Sequence, residues 1–364
     1  MYTEREYTMW LNSLINININ KRVALLNFFG SCETLYKSKE DEINESNILT
    51  QSEMRRLIDS RDRFDINAEI EKLYKCGGTF IIKSDEEFPR VLKLLEDCPL
   101  GLYIIGKLPN SPTPYVSVVG SRRVSSYGAT VCQKLCTELA RNNITIVSGM
   151  AMGIDAIAHK AAIDTGSKTI AVLGSGADVC YPMSNLGIYN DIKYNGCIVS
   201  EYALGTKANA YNFPVRNRII AGLSAATVVI EASERSGSSI TANKALDYGR
   251  SVMAVPGNIT SSLSQGCNKL IAGGCKMVLS SSDILDEIGV KISGKMLQKI
   301  EKEAIVIAPD EKIVYDCIDY EPVTVDELVI KLNLSSQTIL GLLTLLELKG
   351  CVKRLSGQRV VRSL

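Results

Sequence analysis

Several short apolar runs of this chain end in a segment rich in glycine, serine and arginine. One such segment, Gly120-Ser121-Arg122, follows the apolar run of residues 116–119. Glycine lets a ligand approach the backbone, serine hydroxyls and the first amides of a helix can hold an anion, and arginine adds a planar fork of N–H donors. The segment lacks the GxGxxG spacing of a dinucleotide site. It fits a phosphate contact and, equally well, a tight turn with solvated polar side chains.

A second pattern combines cations with an aromatic ring. Arg216, Asn217 and Arg218 stand shortly after Phe213, where a helix is predicted to begin. Cations at the N-terminal end of a helix oppose its dipole, so another interaction must account for them. Donors beside a ring suit phosphates and stacked bases. The alternative is that the arginine stems cover apolar surface and pair with Glu201 or Glu231. We favour the binding interpretation.

A third loop has the arrangement of an anion cradle. Ser236-Gly237-Ser238 lies between an apolar run and a predicted helix, and Lys244 stands within that helix. Successive backbone amides at such a position can surround an anion, and the lysine adds a positive charge. With the two loops above, these residues are expected to form part of a polar rim, rich in glycine and arginine, along one edge of a sheet.

Asp155 and His159 stand four residues apart on one face of a predicted helix. They fit an acid–base pair, or a histidine that fastens the helix to its neighbour. No serine or cysteine is placed to serve as a nucleophile with this histidine, and a buried, hydrogen-bonded histidine is commoner than a catalytic one. We therefore expect the structural role.

Other signatures of catalysis and cofactor binding are missing from the sequence. It contains no Walker-type lysine loop and no recognisable set of nucleophile, base and acid. It has one histidine and eleven cysteines, none of them in a CxxC pair, so the clustered soft ligands of a zinc site are absent. The sequence favours phosphate recognition without chemistry, and we expect no enzyme activity, no cofactor and no metal.

The elements that must position these loops follow an alternating pattern. From residue 115 to about residue 288, short β-branched runs alternate with helical stretches of ten or more residues. Such alternation predicts βαβ units and a parallel sheet, in which ligands bind at the carboxyl ends of the strands. We expect an α/β fold, with an extended Rossmann-like domain over residues 77–290 and the three loops along one edge of its sheet.

Helical patterns flank this domain on both sides. Residues 1–76 are predicted to form a small all-α domain of the SAM or helix-hairpin-helix kind, in which the charged stretch 39–46 is expected to be a loop. A polar linker is expected over 291–308. Three helices and a hairpin over 309–364 predict a winged-helix-like domain, although its third helix is poor in basic residues and so is weakly suited to reading a duplex.

Composition limits the class of partner. The chain of 364 residues has 41 basic and 40 acidic residues, a formal charge of +1, which excludes a cationic coat and leaves only a local patch for nucleic acid. No run of about 18 apolar residues occurs, so no membrane contact is expected. The first ten residues do not resemble a secretory signal, and scattered cysteines are typical of a reducing compartment. We therefore expect a cytoplasmic protein.

The loop motifs, in their order along the chain, resemble those of the DNA-processing protein A (DprA, or Smf) family. The resemblance covers about half of the chain and rests on these motifs: Gly120-Ser121-Arg122, Ser148-Gly149-Met150-Ala151 with Gly153-Ile154-Asp155, Gly174 with Gly176 and Tyr181-Pro182, Ser200-Glu201, Phe213-Pro214 with Arg216-Asn217-Arg218, Glu231-Ala232, Ser236-Gly237-Ser238 and Ala254-Val255-Pro256-Gly257.

This resemblance implies a homodimeric protein that binds single-stranded DNA without known catalysis. It also implies a mediator role, in which the protein protects incoming DNA and loads the RecA recombinase onto it during natural transformation. By residue match, Gly120, Ser121 and Arg122 would hold DNA phosphate. The Arg216–Arg218 segment would extend that pocket, and Ser236–Ser238 with Lys244 would complete it.

Two other functions remain open from the sequence alone. One is a nucleotide-hydrolysing enzyme on a similar Rossmann-like fold, whose relatives have a PGGxGT loop. Residues 256–260 match this loop only in part and lack its second glycine. The other is a nucleotide-binding sensor, which would bind a small nucleotide and no oligonucleotide.

Overall fold

The computed structural model describes residues 2–109, 114–290, 307–319 and 322–362. Within them, a sheet of nine strands has the order β1-β2-β6-β5-β4-β3-β7-β8-β9. Its strands are β1 (Gly78–Ile82), β2 (Gly101–Gly106), β3 (Val116–Val119), β4 (Ile146–Ser148), β5 (Thr169–Leu173), β6 (Cys197–Ser200), β7 (Ala226–Val229), β8 (Ser251–Ala254) and β9 (Lys276–Met277).

The strands from β6 to β9 in this order all pair in parallel, whereas β1 and β2 pair antiparallel at the other end. The chain moves outward from β3 to β6 and then returns to place β7 beside β3. The direction of strand addition therefore reverses between β3 and β7, and the crevice at such a point is where ligands bind in open α/β sheets. The predicted parallel, Rossmann-like sheet is confirmed.

Helices cover both faces of the sheet, and three large apolar clusters lie between helices and strands. The helices of this part are α7 (Arg90–Lys93), α8 (Ser126–Arg141), α9 (Ile154–Asp164), α10 (Leu186–Asn195), α11 (Asn212–Leu223), α12 (Gly237–Asp247), α13 (Gln265–Ala272) and α14 (Ser281–Glu287). Most start directly after a strand-end loop, so their first turns lie at the carboxyl edge of the sheet.

In the described range before the sheet, residues 2–77, six helices share a core around Trp10, Leu25 and Leu57. They are α1 (Glu4–Ser13), α2 (Ile19–Phe29), α3 (Cys32–Lys37), α4 (Glu40–Glu45), α5 (Gln51–Arg63) and α6 (Ile66–Lys75). We call them the N-terminal module. The prediction of a loop over residues 39–46 is wrong, because α4 forms there. The Glu42 carboxylate accepts the Lys39 amide at 2.7 Å, and Ile43 anchors the turn in the core.

The C-terminal part contains α15 (Pro309–Tyr315), α16 (Val325–Leu332) and α17 (Ser336–Leu348), with a small sheet of β10 (Val323–Thr324), β11 (Val352–Leu355) and β12 (Arg359–Arg362). The predicted three helices and hairpin are confirmed. Most of the linker predicted over 291–308 lies outside the described residues. Of the described helices, none is by itself long and apolar enough to cross a membrane; α16 and α17 meet that length and composition only as a pair bent by 114°.

Candidate nucleic-acid interface

The loops that follow β3, β4 and β7 meet at the carboxyl edge of the sheet. The Ser121 amide donates to the Glu231 carbonyl at 2.7 Å, and the Ile154 amide donates to the Ser121 carbonyl at 3.2 Å. Gly153 has a φ of +77°, and a Cβ there would lie 2.3 Å from the Ser121 oxygen. The close approach of these loops thus requires a residue without a side chain.

Arg122, like its neighbour Arg123, is an exposed cation of this edge. Its guanidinium carbon lies 5.3 Å from the centre of the Phe213 ring. The start of the neighbouring helix α8 already has a protein carboxylate as its anion. The Ser125 amide and hydroxyl donate to the Glu231 carboxylate at 3.0 and 2.5 Å. Of the groups predicted to hold an anion in this loop, the guanidinium of Arg122 is therefore better placed to meet a ligand than the first amides of α8.

Two stacked aromatic rings, those of Tyr181 and Phe213, lie next to Arg122, and we call this pair the aromatic step. Tyr181 stacks on Phe213 with ring centres 5.8 Å apart and planes inclined by 25°, and 49% of Tyr181 is exposed. The position of Phe213 is set by Gly174, where a Cβ would lie 2.8 Å from the ring. Asn212 also donates its amide to the Gly174 carbonyl at 2.9 Å. The sequence contains these residues as separate motifs, and only the folded loops bring the two rings together.

Arg216 lies beneath this step and is 5% exposed. Its guanidinium donates to the carbonyls of Gly149, at 2.7 Å, and Val172, and to the Asn217 side-chain oxygen at 3.1 Å. Burial lowers its pKa to about 10, although Asp155 opposes the shift. Arg216 is charged at neutral pH because this pKa is well above 7. It can therefore attract an anion through its field while its donors serve protein carbonyls.

Arg218 is also buried, at 4% exposure. It donates to the Glu201 carboxylate and to the Asp97 carbonyl, both at 2.5 Å. This pairing is the alternative that the sequence left open for the arginines of this helix. Direct DNA contact by Arg216 and Arg218 stays a prediction, and the acceptors they use in the structure are protein groups.

The predicted anion cradle is joined to this region through α11. The Asn217 side chain donates to the Gly237 carbonyl at 3.4 Å. Ser236 caps α12 by accepting the Ser238 amide at 3.3 Å, and the space around the Gly237 Cα is open. Lys244 lies further along α12, 3.4 Å from Asp247. The structure thus brings the Ser236 loop to α11, whereas no contact among the described residues joins Lys244 to Arg122 or Phe213.

Asp155 and His159 bond to different partners. The Asp155 carboxylate accepts the amides of Gly149 and Ala151, at 3.1 and 3.2 Å, and holds the loop after β4. His159 bonds Thr169 of β5 at 2.8 Å, and complete burial lowers its pKa to about 3, so it is neutral. Both side chains fasten α9 to the sheet. Across the described ranges, no group of three His, Cys, Asp or Glu side chains could hold a metal ion.

Comparison with known proteins agrees with this geometry. Residues 79–289 match the model of the family described as DNA recombination-mediator protein A, and residues 302–358 match the DprA winged helix domain. The chain belongs to the DNA recombination-mediator protein A family. The resemblance inferred from the loop motifs is confirmed, and so is the winged-helix-like character of the C-terminal part.

Two relatives show how much of the chain is similar in sequence to known DprA proteins. DNA processing protein DprA of Streptococcus pneumoniae is 43% identical over 221 residues, which are 61% of this chain and 78% of that protein. A putative DNA processing protein DprA of Mycobacterium tuberculosis is 32% identical over 81% of this chain and 80% of its own length.

Two solved structures share the fold. The X-ray structure of the S. pneumoniae protein superposes with a TM-score of 0.68, at 34% identity, over 80% of this chain and 100% of that one. A structure of DNA processing protein A from Helicobacter pylori, whose title describes a single-stranded DNA binding mode, superposes with a TM-score of 0.52 at 29% identity, over 57% of this chain and 94% of that one.

Proposed function

We propose that Arg122, Phe213 and Tyr181 form the contact surface for single-stranded DNA, and that the protein is a non-catalytic recombination mediator. The observation that supports this most directly is the exposed guanidinium of Arg122 beside two stacked rings. A guanidinium can bind a phosphate in bidentate fashion, and every base has a face that stacks on an aromatic ring. The three groups together suit a nucleotide whatever its base.

The surface fits a single strand better than a duplex. In a duplex the base faces are already stacked on each other and only base edges and phosphates are accessible. A flat ring such as Tyr181 offers nothing to those edges, whereas it gains contact with an unpaired base.

The remaining parts of the proposal rest on membership of the family and on the motif resemblance. We infer that the protein protects incoming single-stranded DNA and loads RecA onto it in the cytoplasm during natural transformation, and that it acts as a homodimer. The buried, neutral His159 and the absence of a placed nucleophile in the described site support a binding role without catalysis.

The experiment is a binding series with labelled single- and double-stranded oligonucleotides at several salt concentrations. We expect single-strand preference in the wild type. Arg122→Ala should weaken binding, and it should reduce the slope of log K against log salt by about 0.7, the value for one phosphate contact on a single strand. An unchanged affinity and slope would remove Arg122 from the site.

A second pair of variants tests the aromatic step. Phe213→Ala should lose about 1–3 kcal/mol of binding free energy, the range for stacking one base, whereas Phe213→Trp should retain most of it. Equal losses in both variants would contradict stacking.

Incubation with nucleoside monophosphates tests the enzyme alternative, because release of free base would support a hydrolase.

A further inference from the structure

A second concave surface lies in the N-terminal module, away from the site described above. It is a groove of about 340 Å³ between α5 and the segment that follows α1. Leu14, Ile17 and Phe64 contribute apolar surface to it, and its charged lining residues are Arg56, Arg63 and Asp59. We call it the Arg56 groove. Its lining combines apolar atoms with guanidinium groups, the same pair of chemistries found around Phe213.

The N-terminal module is fastened to the carboxyl edge of the sheet. The Asn12 side chain donates to the carbonyl of Glu201, the first residue after β6, at 2.5 Å. The Glu69 carboxylate accepts the Leu204 amide at 2.7 Å. The groove begins at Ser13, the residue directly after this attachment point. It therefore starts at the same edge of the sheet as the proposed DNA contacts.

The strand order sets the path between the two places. Phe213 packs on Gly174, which directly follows β5, and β6 is the neighbour of β5. Adjacent strands lie about 4.8 Å apart, so the attachment of the module at Glu201 is one strand beyond the support of Phe213. A strand of nucleic acid that runs along this edge away from Arg122 is directed towards the N-terminal module.

Two arginines and one aspartate line the groove, and the resulting net positive charge suits phosphodiester groups. Arg56 is exposed, and the described residues provide no ion-pair partner for it. Arg63 lies 3.5 Å from Asp59, but the two side chains are 79% and 56% exposed, and such a pair contributes less than about 1 kcal/mol. A phosphate can compete with that carboxylate at little cost. Seven residues separate Arg56 from Arg63, so both stand on one face of α5.

We propose that the Arg56 groove is a second subsite for the same single-stranded nucleic acid, with phosphodiester groups at Arg56 and Arg63 and a base or sugar against Phe64. This rests on the proposed function, because the groove continues the strand that Arg122 and Phe213 hold. The N-terminal module thereby lengthens the bound strand and adds affinity that only oligonucleotides long enough to reach it can use.

The test compares oligothymidylates of increasing length on the full chain. The double variant Arg56→Ala/Arg63→Ala should bind the shortest ligands like the wild type and the longer ones roughly tenfold more weakly, as expected for two exposed charge contacts. For long ligands the salt slope should fall by up to about 1.4, from two phosphate contacts at about 0.7 each. Arg55→Ala is the matched control, since Arg55 is an exposed neighbour on α5 that does not line the groove.

The outcomes separate this proposal from the proposed function. If the double variant matches Arg55→Ala at every length, or if it weakens short and long ligands equally, the second subsite is overturned. Arg122→Ala should weaken ligands of all lengths. If Arg122→Ala has no effect while the double variant still weakens long ligands, the proposed site fails and the groove stands. The replaced side chains are exposed, so we expect all variants to unfold at the same temperature as the wild type. Thermal unfolding curves that show this exclude a folding defect as the cause of weaker binding.

Discussion

Replacement of Glu201 should strongly destabilise the protein, because this carboxylate neutralises two buried cations. Its oxygens lie 2.5 Å from a guanidinium nitrogen of Arg218 and 3.6 Å from one of Arg22, and all three side chains are at most 5% exposed. Glu201→Gln keeps the shape of the side chain and removes its charge. Two guanidinium groups then remain in the interior without the carboxylate they share, and of the two only Arg218 keeps a second carboxylate, that of Asp97, acting on it.

The magnitude follows from this burial. Breaking a buried ion pair by removing one partner costs about 3–5 kcal/mol, because the remaining charge is left unpaired away from water. For a domain of this size, each kcal/mol lowers Tm by roughly 2–4 °C, so we expect a fall of about 10 °C. The N-terminal module should loosen first, since Arg22 belongs to α2 and Arg218 to the sheet domain.

Thermal unfolding followed by circular dichroism measures this change, with native-state hydrogen exchange to locate it. Glu234→Gln is the matched control: Glu234 pairs with Lys269 at 3.2 Å, but its side chain is 62% exposed. That variant should change stability by less than about 1 kcal/mol. If Glu201→Gln costs no more than Glu234→Gln, or if the amides of the N-terminal module exchange at unchanged rates, the argument from burial is refuted.

Two further predictions concern the site and its support. Gly174→Ala should displace the Phe213 ring, because the new Cβ would lie 2.8 Å from it. Single-strand affinity should therefore fall, while Gly187→Ala, where the space is open, should not change it; equal affinities would contradict this. Burial lowers the pKa of His159 to about 3, so between pH 3 and about 6.5 only the unfolded chain binds the proton at this position. Its contribution to stability is complete above pH 6.5 and falls by up to about 1.4 kcal/mol per unit as the pH falls towards 3. Urea unfolding should show a shallower acid slope for His159→Asn, and an unchanged slope would refute the assignment.

The architecture of the sheet domain was accessible from the sequence because its strands are buried on both faces. Such strands consist of short runs of apolar residues, and two of the helices between them, α8 and α12, begin after a serine that caps the first turn. The apolar run of residues 116–119, for example, coincides with β3. The helix α4 was missed because its charged residues hide a single buried contact, at Ile43, that no periodic pattern announces.

The location of the candidate site was also accessible, because polar loops after parallel strands must lie at one edge of the sheet. Exposure was not. In sequence, an arginine near a helix start has the same character whether it faces water or a buried carboxylate. Arg122 and Arg218 therefore received the same expectation, yet one is exposed beside Phe213 and the other is held by Glu201.

The sequence by itself determined the order of the elements, the family and the edge of the sheet where ligands are expected. Only the tertiary structure decided which side chains meet there. The contact of Arg122 with Phe213 joins residues far apart in the chain, and so does the contact of Arg22 with Glu201. Such contacts depend on how the loops and the N-terminal module pack against the sheet, and this packing is a property of the whole fold that local residue patterns do not contain.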